Sequence, residues 1–164
     1  EATEMELARR EGIFLSSRVH PGETPCSYVM EGLIDFLLSN DSKAVFLRNN
    51  FVFKVIPMLN PDGVIIGNTR CNLDGLDMNR QYRNAQGEVP EITALKNQLY
   101  KTQESRPINM FLDIHGHSQN KNLFIFGCSN NDMPDHVMKE RIFPLIVHQN
   151  CESFYFDSCK FDVD

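Results

Sequence analysis

The chain of 164 residues is 41% hydrophobic and 23% charged, which suits one globular domain with a buried core and excludes a disordered one. Its net charge of -6, with basic residues scattered rather than striped, offers nucleic acid no general attraction. It has no run of about 18 apolar residues and no basic and apolar leader, so neither a membrane span nor a secretory signal is expected, and the missing initiator Met reads as a fragment. Cys26, Cys71, Cys128, Cys151 and Cys159 are odd in number and form no CxxC pair, which predicts reduced thiols in the cytoplasm and no Cys-based zinc site.

Residues 2–10 are expected to be helical and polar. Residues 12–19, with Ile13, Phe14, Leu15 and Val19, read as a strand that feeds directly into His20. Thr24 suits an N-cap with Pro25 at the first helical position, and Met30, Leu33, Ile34, Leu37 and Leu38 form the stripe to be buried before Asn40-Asp41 stops the helix. The β-branched and aromatic run 51–56 predicts a strand ending at Pro57, followed by a turn at Asn60-Pro61-Asp62-Gly63. Residues 67–88, rich in Asn, Asp, Gly and Arg, lack a clear period and predict a functional surface loop. Pro90 opens a helix with Ile92, Leu95 and Leu99 on one face, and 110–114 is a near-continuous apolar run expected as a parallel strand covered on both sides, with His115 just past its end. A short strand at 123–126 and a helix over 135–150, which Pro144 must start, kink or split, complete the chain. Strands alternating with helices predict an α/β sandwich, whose ligands gather at the carboxyl ends of strands.

His20-Pro21-Gly22-Glu23 carries Pro and Gly where a type II turn wants them, which brings its ends within about 7 Å. One imidazole and one carboxylate then converge. A distant His completes the three N/O donors that a catalytic zinc takes while leaving its fourth position to water. On spacing alone, His115 and His117 serve equally well. Asp113 either supports His115 or ends its strand, Asp77 by itself reads as a solvated loop acid, and a loop arginine such as Arg80 reads as solvated too.

In order and spacing, His20-Pro21-Gly22-Glu23, Asn60-Pro61-Asp62-Gly63-Val64, Asn79-Arg80 and Asp113-Ile114-His115-Gly116-His117-Ser118 resemble the motifs of the zinc metallocarboxypeptidases. Their wording is similar to that of the cytosolic carboxypeptidase branch, from about Gly12 to the C-terminus. The resemblance implies an α/β fold with a mixed, largely parallel central sheet and helices on both faces, incomplete at its C-terminal end. Residues 1–164 would be the N-terminal and central part of that catalytic domain.

The same resemblance implies one zinc ion held by His20, Glu23 and His115, the His₂Glu set of carboxypeptidase A, with His117 beyond the ligand position and lining the pocket. It makes Asp77 the carboxylate that orients His20. Asn79 and Arg80 become the grip on the substrate's free C-terminal carboxylate. Arg70 becomes the residue that polarises the scissile carbonyl, presented by the loop that residues 60–63 shape. The family's general base, a Glu on a later strand, has no match here. It is therefore expected beyond Asp164, a β-rich domain is expected before Glu1, and the isolated chain is expected to be inactive. The branch trims glutamates from acidic protein tails, tubulin among them, so such tails are the implied partners, with neither nucleic acid nor membrane. Two other readings stand beside it: a zinc amidohydrolase of the aspartoacylase type, and a catalytically incomplete, zinc-containing fragment that binds peptide tails.

Overall fold

The computed structural model describes residues 7, 9–83, 89–130 and 133–161. The helix expected over residues 2–10 and the stretch 84–88 of the expected loop lie largely or wholly outside them. The chain divides into two compact units, Glu1–Gly116 and His117–Asp164.

In the first unit β1 (Glu11–Ser17), β2 (Phe51–Ile56) and β3 (Ile108–Ile114) pair in parallel in the order β2-β1-β3. The helices are α1 (Pro25–Leu38), α2 (Ser42–Asn50), α3 (Pro61–Ile66) and α4 (Pro90–Ser105). Strand alternation sends the side chains of central β1 to opposite faces. Ile13 and Leu15 pack with Met30 and Leu37 of α1, while Phe14 packs with Ile92 and Leu95 of α4. Helices therefore cover both faces, as expected. Each such buried side chain contributes about 1.5–3 kcal/mol relative to exposure. All three strands are parallel, so no antiparallel member of a mixed sheet occurs among the described residues.

Several local expectations are corrected. Thr24 precedes α1 with helical dihedrals and no side-chain capping bond; instead the amides of Cys26 and Ser27 donate to the Glu23 and Thr24 carbonyls. Leu38 is exposed rather than part of the stripe, because α1 closes just there: Arg48 donates to the Leu37 carbonyl and, at 2.8 Å, to that of Ser39. Ser39 closes α1, and Asp41 starts the next helix, its carboxylate accepting from the Lys43 amide at 2.8 Å at the start of α2. That helix escaped the pattern reading because Ala44 is its one buried residue among the described ones. The expected turn at 60–63 is the start of a short helix, with the Asn60 side chain accepting from the Gly63 amide and Pro61 opening α3. Among the described residues β3 is an edge strand with Phe111 exposed, not doubly covered.

The second unit has little regular structure. The expected strand at 123–126 reduces to two isolated bridges, Leu123 with Phe154 and Phe126 with Lys160. α5 (Ile142–Asn150) follows a 3₁₀ turn at Lys139–Arg141, and Pro144 sits buried in its first turn, where a missing N–H costs nothing. Pro144 thus starts the helix rather than kinking it.

The loops at the carboxyl ends of β1 and β2 are packed too closely for added atoms. A Cβ at Gly22 would meet the Thr69 carbonyl oxygen at 2.8 Å, and one at Gly63 would meet Pro21 Cγ at 2.5 Å, Asn60 Oδ1 at 2.7 Å and the Cys71 carbonyl at 2.9 Å. Gly63→Ala is therefore expected to lower stability by about 1–3 kcal/mol in urea unfolding, as overpacking of a rigid site does. An unfolding midpoint equal to that of the parent protein would show that these loops yield easily.

Candidate metal centre

β1 and β3 run in parallel with Ser17 opposite Ile114, so the segments leaving them emerge side by side. His20 follows one strand and His115 the other, and their rings lie edge to face with centroids 5.1 Å apart. The chain enters the first loop through Arg18 at a φ of 57°. The Glu23 amide donates back to the His20 carbonyl at 3.3 Å, closing the turn. Gly22 is not left-handed, so the turn is not type II as expected; glycine is required there by the close approach of Thr69.

His20, Glu23 and His115 each offer a ligand atom, and these atoms lie within 4.8 Å of one another. Both imidazoles turn Nδ1 toward the same carboxylate, His20 at 2.8 Å from Oε1 and His115 at 3.3 Å from Oε2. The Gly116 amide also donates to Oε2 at 2.7 Å. On the far side of each ring stands another carboxylate. His20 Nε2 is 3.0 Å from Asp77 Oδ1, and His115 Nε2 is 2.7 Å from Asp113 Oδ2. An Nε2–H donated outward leaves the Nδ1 lone pair for a cation and raises its basicity.

The charges agree with that reading. Burial alone would raise the Glu23 carboxyl, but hydrogen bonds with His115, His20 and the Gly116 amide outweigh it and hold the group well below the usual carboxylate range. Burial likewise opposes a charged His115, yet Asp113 and Glu23 push it up to about 9. Asp77, despite partial burial, is lowered by His20 and Arg70. Three carboxylates facing two imidazoles leave a surplus of negative charge at one point, a donor set that fits a zinc ion.

The other expected residues fall on the loop 67–83. Arg70 directs Nε and a terminal nitrogen at Asp77 Oδ2, 2.8 and 2.6 Å away, so one carboxylate serves both His20 and Arg70. Asp77 also caps the 3₁₀ turn Met78–Arg80 by accepting from the Asn79 amide at 3.0 Å. Buried Met78 anchors that turn, leaving Asn79 half-buried and Arg80 exposed. His117 begins the second unit, where its ring meets Phe124 and Phe126 edge-on and its Nδ1 accepts from the Gln119 and Asn120 amides. Among the described residues, the group that could hold a metal ion contains His115 and not His117.

One member of the arrangement has no signal in a linear reading, and another shows there only as part of a turn. Buried Ser16 donates to Asp113 Oδ1 at 2.6 Å, a contact legible only once Ser16 and Asp113 are known to be register partners. Asn60, fully buried, donates to the Val19 carbonyl at 3.1 Å and so ties the start of α3 to the residue before His20.

In metal-free protein, His115 rises from an ordinary value of 6.5 to about 9 on folding, so its charge stabilises the fold fully below about pH 6.5 and ceases to do so as the pH rises through about 9. An NMR titration of the His115 ring is expected to show the raised midpoint, and metal uptake is expected to release that proton. A midpoint at or below the ordinary value would refute the described charge pairing.

Residues 2–149 match the family model for zinc carboxypeptidases, Peptidase_M14. The chain is 45% identical over 161 residues to cytosolic carboxypeptidase 3 of Bos taurus and 47% identical over 163 residues to cytosolic carboxypeptidase 2 of Mus musculus. It spans 96% and 98% of its own length in these matches, but only 16% and 19% of the relatives' length. Among solved structures, the metallo-carboxypeptidase of Burkholderia cenocepacia matches with a TM-score of 0.80 at 25% identity, covering 97% of this chain and 43% of that one. The Pseudomonas aeruginosa metallo-carboxypeptidase in complex with (2-guanidinoethylmercapto)succinic acid matches with a TM-score of 0.78 at 25% identity, over 95% of this chain and 41% of that one. The paired motif loops, the His-Glu-His cluster at the ends of two parallel strands and the match over most of its length agree: this chain belongs to the zinc carboxypeptidase family.

Proposed function

We propose that the protein is a zinc-dependent metallocarboxypeptidase of the cytoplasm that removes C-terminal residues, glutamates of acidic protein tails such as those of tubulin. The observation that carries the reading is the convergence of His20, Glu23 and His115, each histidine backed by its own carboxylate. Similarity to proteins named cytosolic carboxypeptidases supports the reaction class and the compartment. No helix among the described residues is long and apolar enough to cross a membrane.

In this reading His20, Glu23 and His115 hold one zinc ion per chain, and Asp77 and Asp113 fix the two imidazoles with Nδ1 inward. Zinc, when bound, supplies Lewis acidity that activates water and polarises a carbonyl. Arg70 stabilises the negative charge that develops on the scissile carbonyl oxygen. Its pairing with Asp77 is compatible with that role, because Nε and one terminal nitrogen are turned to the carboxylate while other N–H groups remain for a substrate. Asn79 and Arg80 grip the terminal carboxylate, a task for which a planar guanidinium on an exposed turn is suited. His117 lines the pocket, an assignment that rests on its motif alone. The family's proton acceptor, a glutamate, has no match among the motifs of this chain. Arginines and a zinc ion also give an acidic tail a local attraction that the net charge of -6 does not. Family membership weighs against the amidohydrolase reading.

Elemental analysis of the full-length protein is expected to find one zinc per chain, lost in both His20→Ala and His115→Ala. A folded protein that takes up no zinc would end this reading, and turnover of N-acyl amino acids with none of peptides would favour the amidohydrolase. On peptides ending in glutamate, Arg70→Met is expected to lower kcat by about 10²–10³, the usual cost of losing an oxyanion donor. Arg80→Met is expected to act chiefly on KM and to erase the preference for a free over an amidated C-terminus. A wild-type enzyme indifferent to amidation would refute the terminal-carboxylate grip.

A further inference from the structure

Arg18 is 6% exposed, yet no carboxylate lies at ion-pair distance from it among the described residues. A buried guanidinium without a counter-charge is costly, so its contacts need an account. One terminal nitrogen donates to the Pro21 carbonyl at 2.6 Å, inside the turn that joins His20 to Glu23. The other donates to Ser27 Oγ at 2.7 Å, on the first turn of α1. These acceptors flank Glu23 in sequence, one before it and one after. Nε is buried with no hydrogen-bond partner among the described residues. The backbone of Arg18 is held as well, since its carbonyl accepts from the Asn60 amide at 3.1 Å while its φ of 57° is one that side-chain-bearing residues rarely adopt.

We propose that Arg18 is a positioning residue of the metal centre: its planar fork fixes the turn 20–23 against the start of α1, and so sets the separation of His20 from Glu23. The inference rests on the zinc reading above. It differs from a stability role because the two bonds constrain the segment that bears two of the three ligands, and the rigid fork cannot be replaced by a single flexible ammonium. The side chain returns to its own turn, where it donates to the Pro21 carbonyl.

The test uses full-length protein in the forms Arg18→Met, Arg18→Lys and Ser27→Ala. Zinc affinity of the folded protein is read by competition with a chromophoric chelator, and unfolding is followed on metal-stripped samples. Arg18→Met is expected to bind zinc about tenfold more weakly, in the range that loss of supporting contacts costs a metal site. Arg18→Lys is expected to fall between it and wild type. Ser27→Ala, which deletes one acceptor, is expected to weaken binding about fivefold, the value of one hydrogen bond. If Arg18→Met does not fold, Ser27→Ala decides. A purely structural arginine would shift the metal-free unfolding midpoint and leave the affinity of folded variants within about twofold of wild type, and that result overturns the proposal. Wild-type protein that binds no zinc would overturn the zinc reading with it, whereas zinc-binding wild type with unaffected variants sinks only the role of Arg18.

Discussion

Asp77, His20, Glu23, His115 and Asp113 form one hydrogen-bonded row in which carboxylates and imidazoles alternate, with Arg70 at one end and Ser16 at the other. Partly buried carboxylates so close together repel one another unless positive charge is supplied, and a low-dielectric setting sharpens the repulsion. The row answers in two ways. Without a metal, a proton raises His115 to the imidazolium, and a bound dication would take that place. Much of the surrounding architecture serves to keep these like charges together.

The sheet makes the row possible by a simple route. Because β1, β2 and β3 all run in the same direction, the loops that follow them collect at one end. Central β1 is buried over most of its length, and its last residues, Ser16 and Ser17, are polar but fully enclosed. Apolar residues earlier in the strand hold it between α1 and α4, so the polar end is held rigidly and Ser16 meets Asp113 across the register. Packing thus fixes the directions in which His20 and His115 leave the sheet.

The readable parts of this site in the sequence were those in which chemistry and local geometry coincide. The apolar run Ile13-Phe14-Leu15 showed a strand, and Pro25 and Pro90 marked helix starts, because these signals act over a few residues. Choosing His115 over His117 required more than spacing, and only the fold shows His115 between Glu23 and Asp113. α2 was hidden because it buries almost nothing, and Asp41 read as a stop when it is a cap. The strand at 123–126 was overread: its apolar residues are real, but Leu123 and Phe126 each make a lone bridge. The role of Gly22 was misjudged in kind, since a neighbouring backbone, not a left-handed turn, is what excludes a side chain. Long-range contacts of this sort leave no periodic trace.

The mutual contact of the loops also bears on which substitutions such a site tolerates. Gly22 lies against Thr69, and Gly63 lies against Pro21 and Cys71, so segments far apart in sequence share one set of clearances. An insertion or a bulkier residue in any one of them displaces the others, and the candidate metal-binding residues with them. The exposed Leu73-Asp74-Gly75 bend stands outside those clearances, so side chains can change there without moving the candidate metal-binding residues.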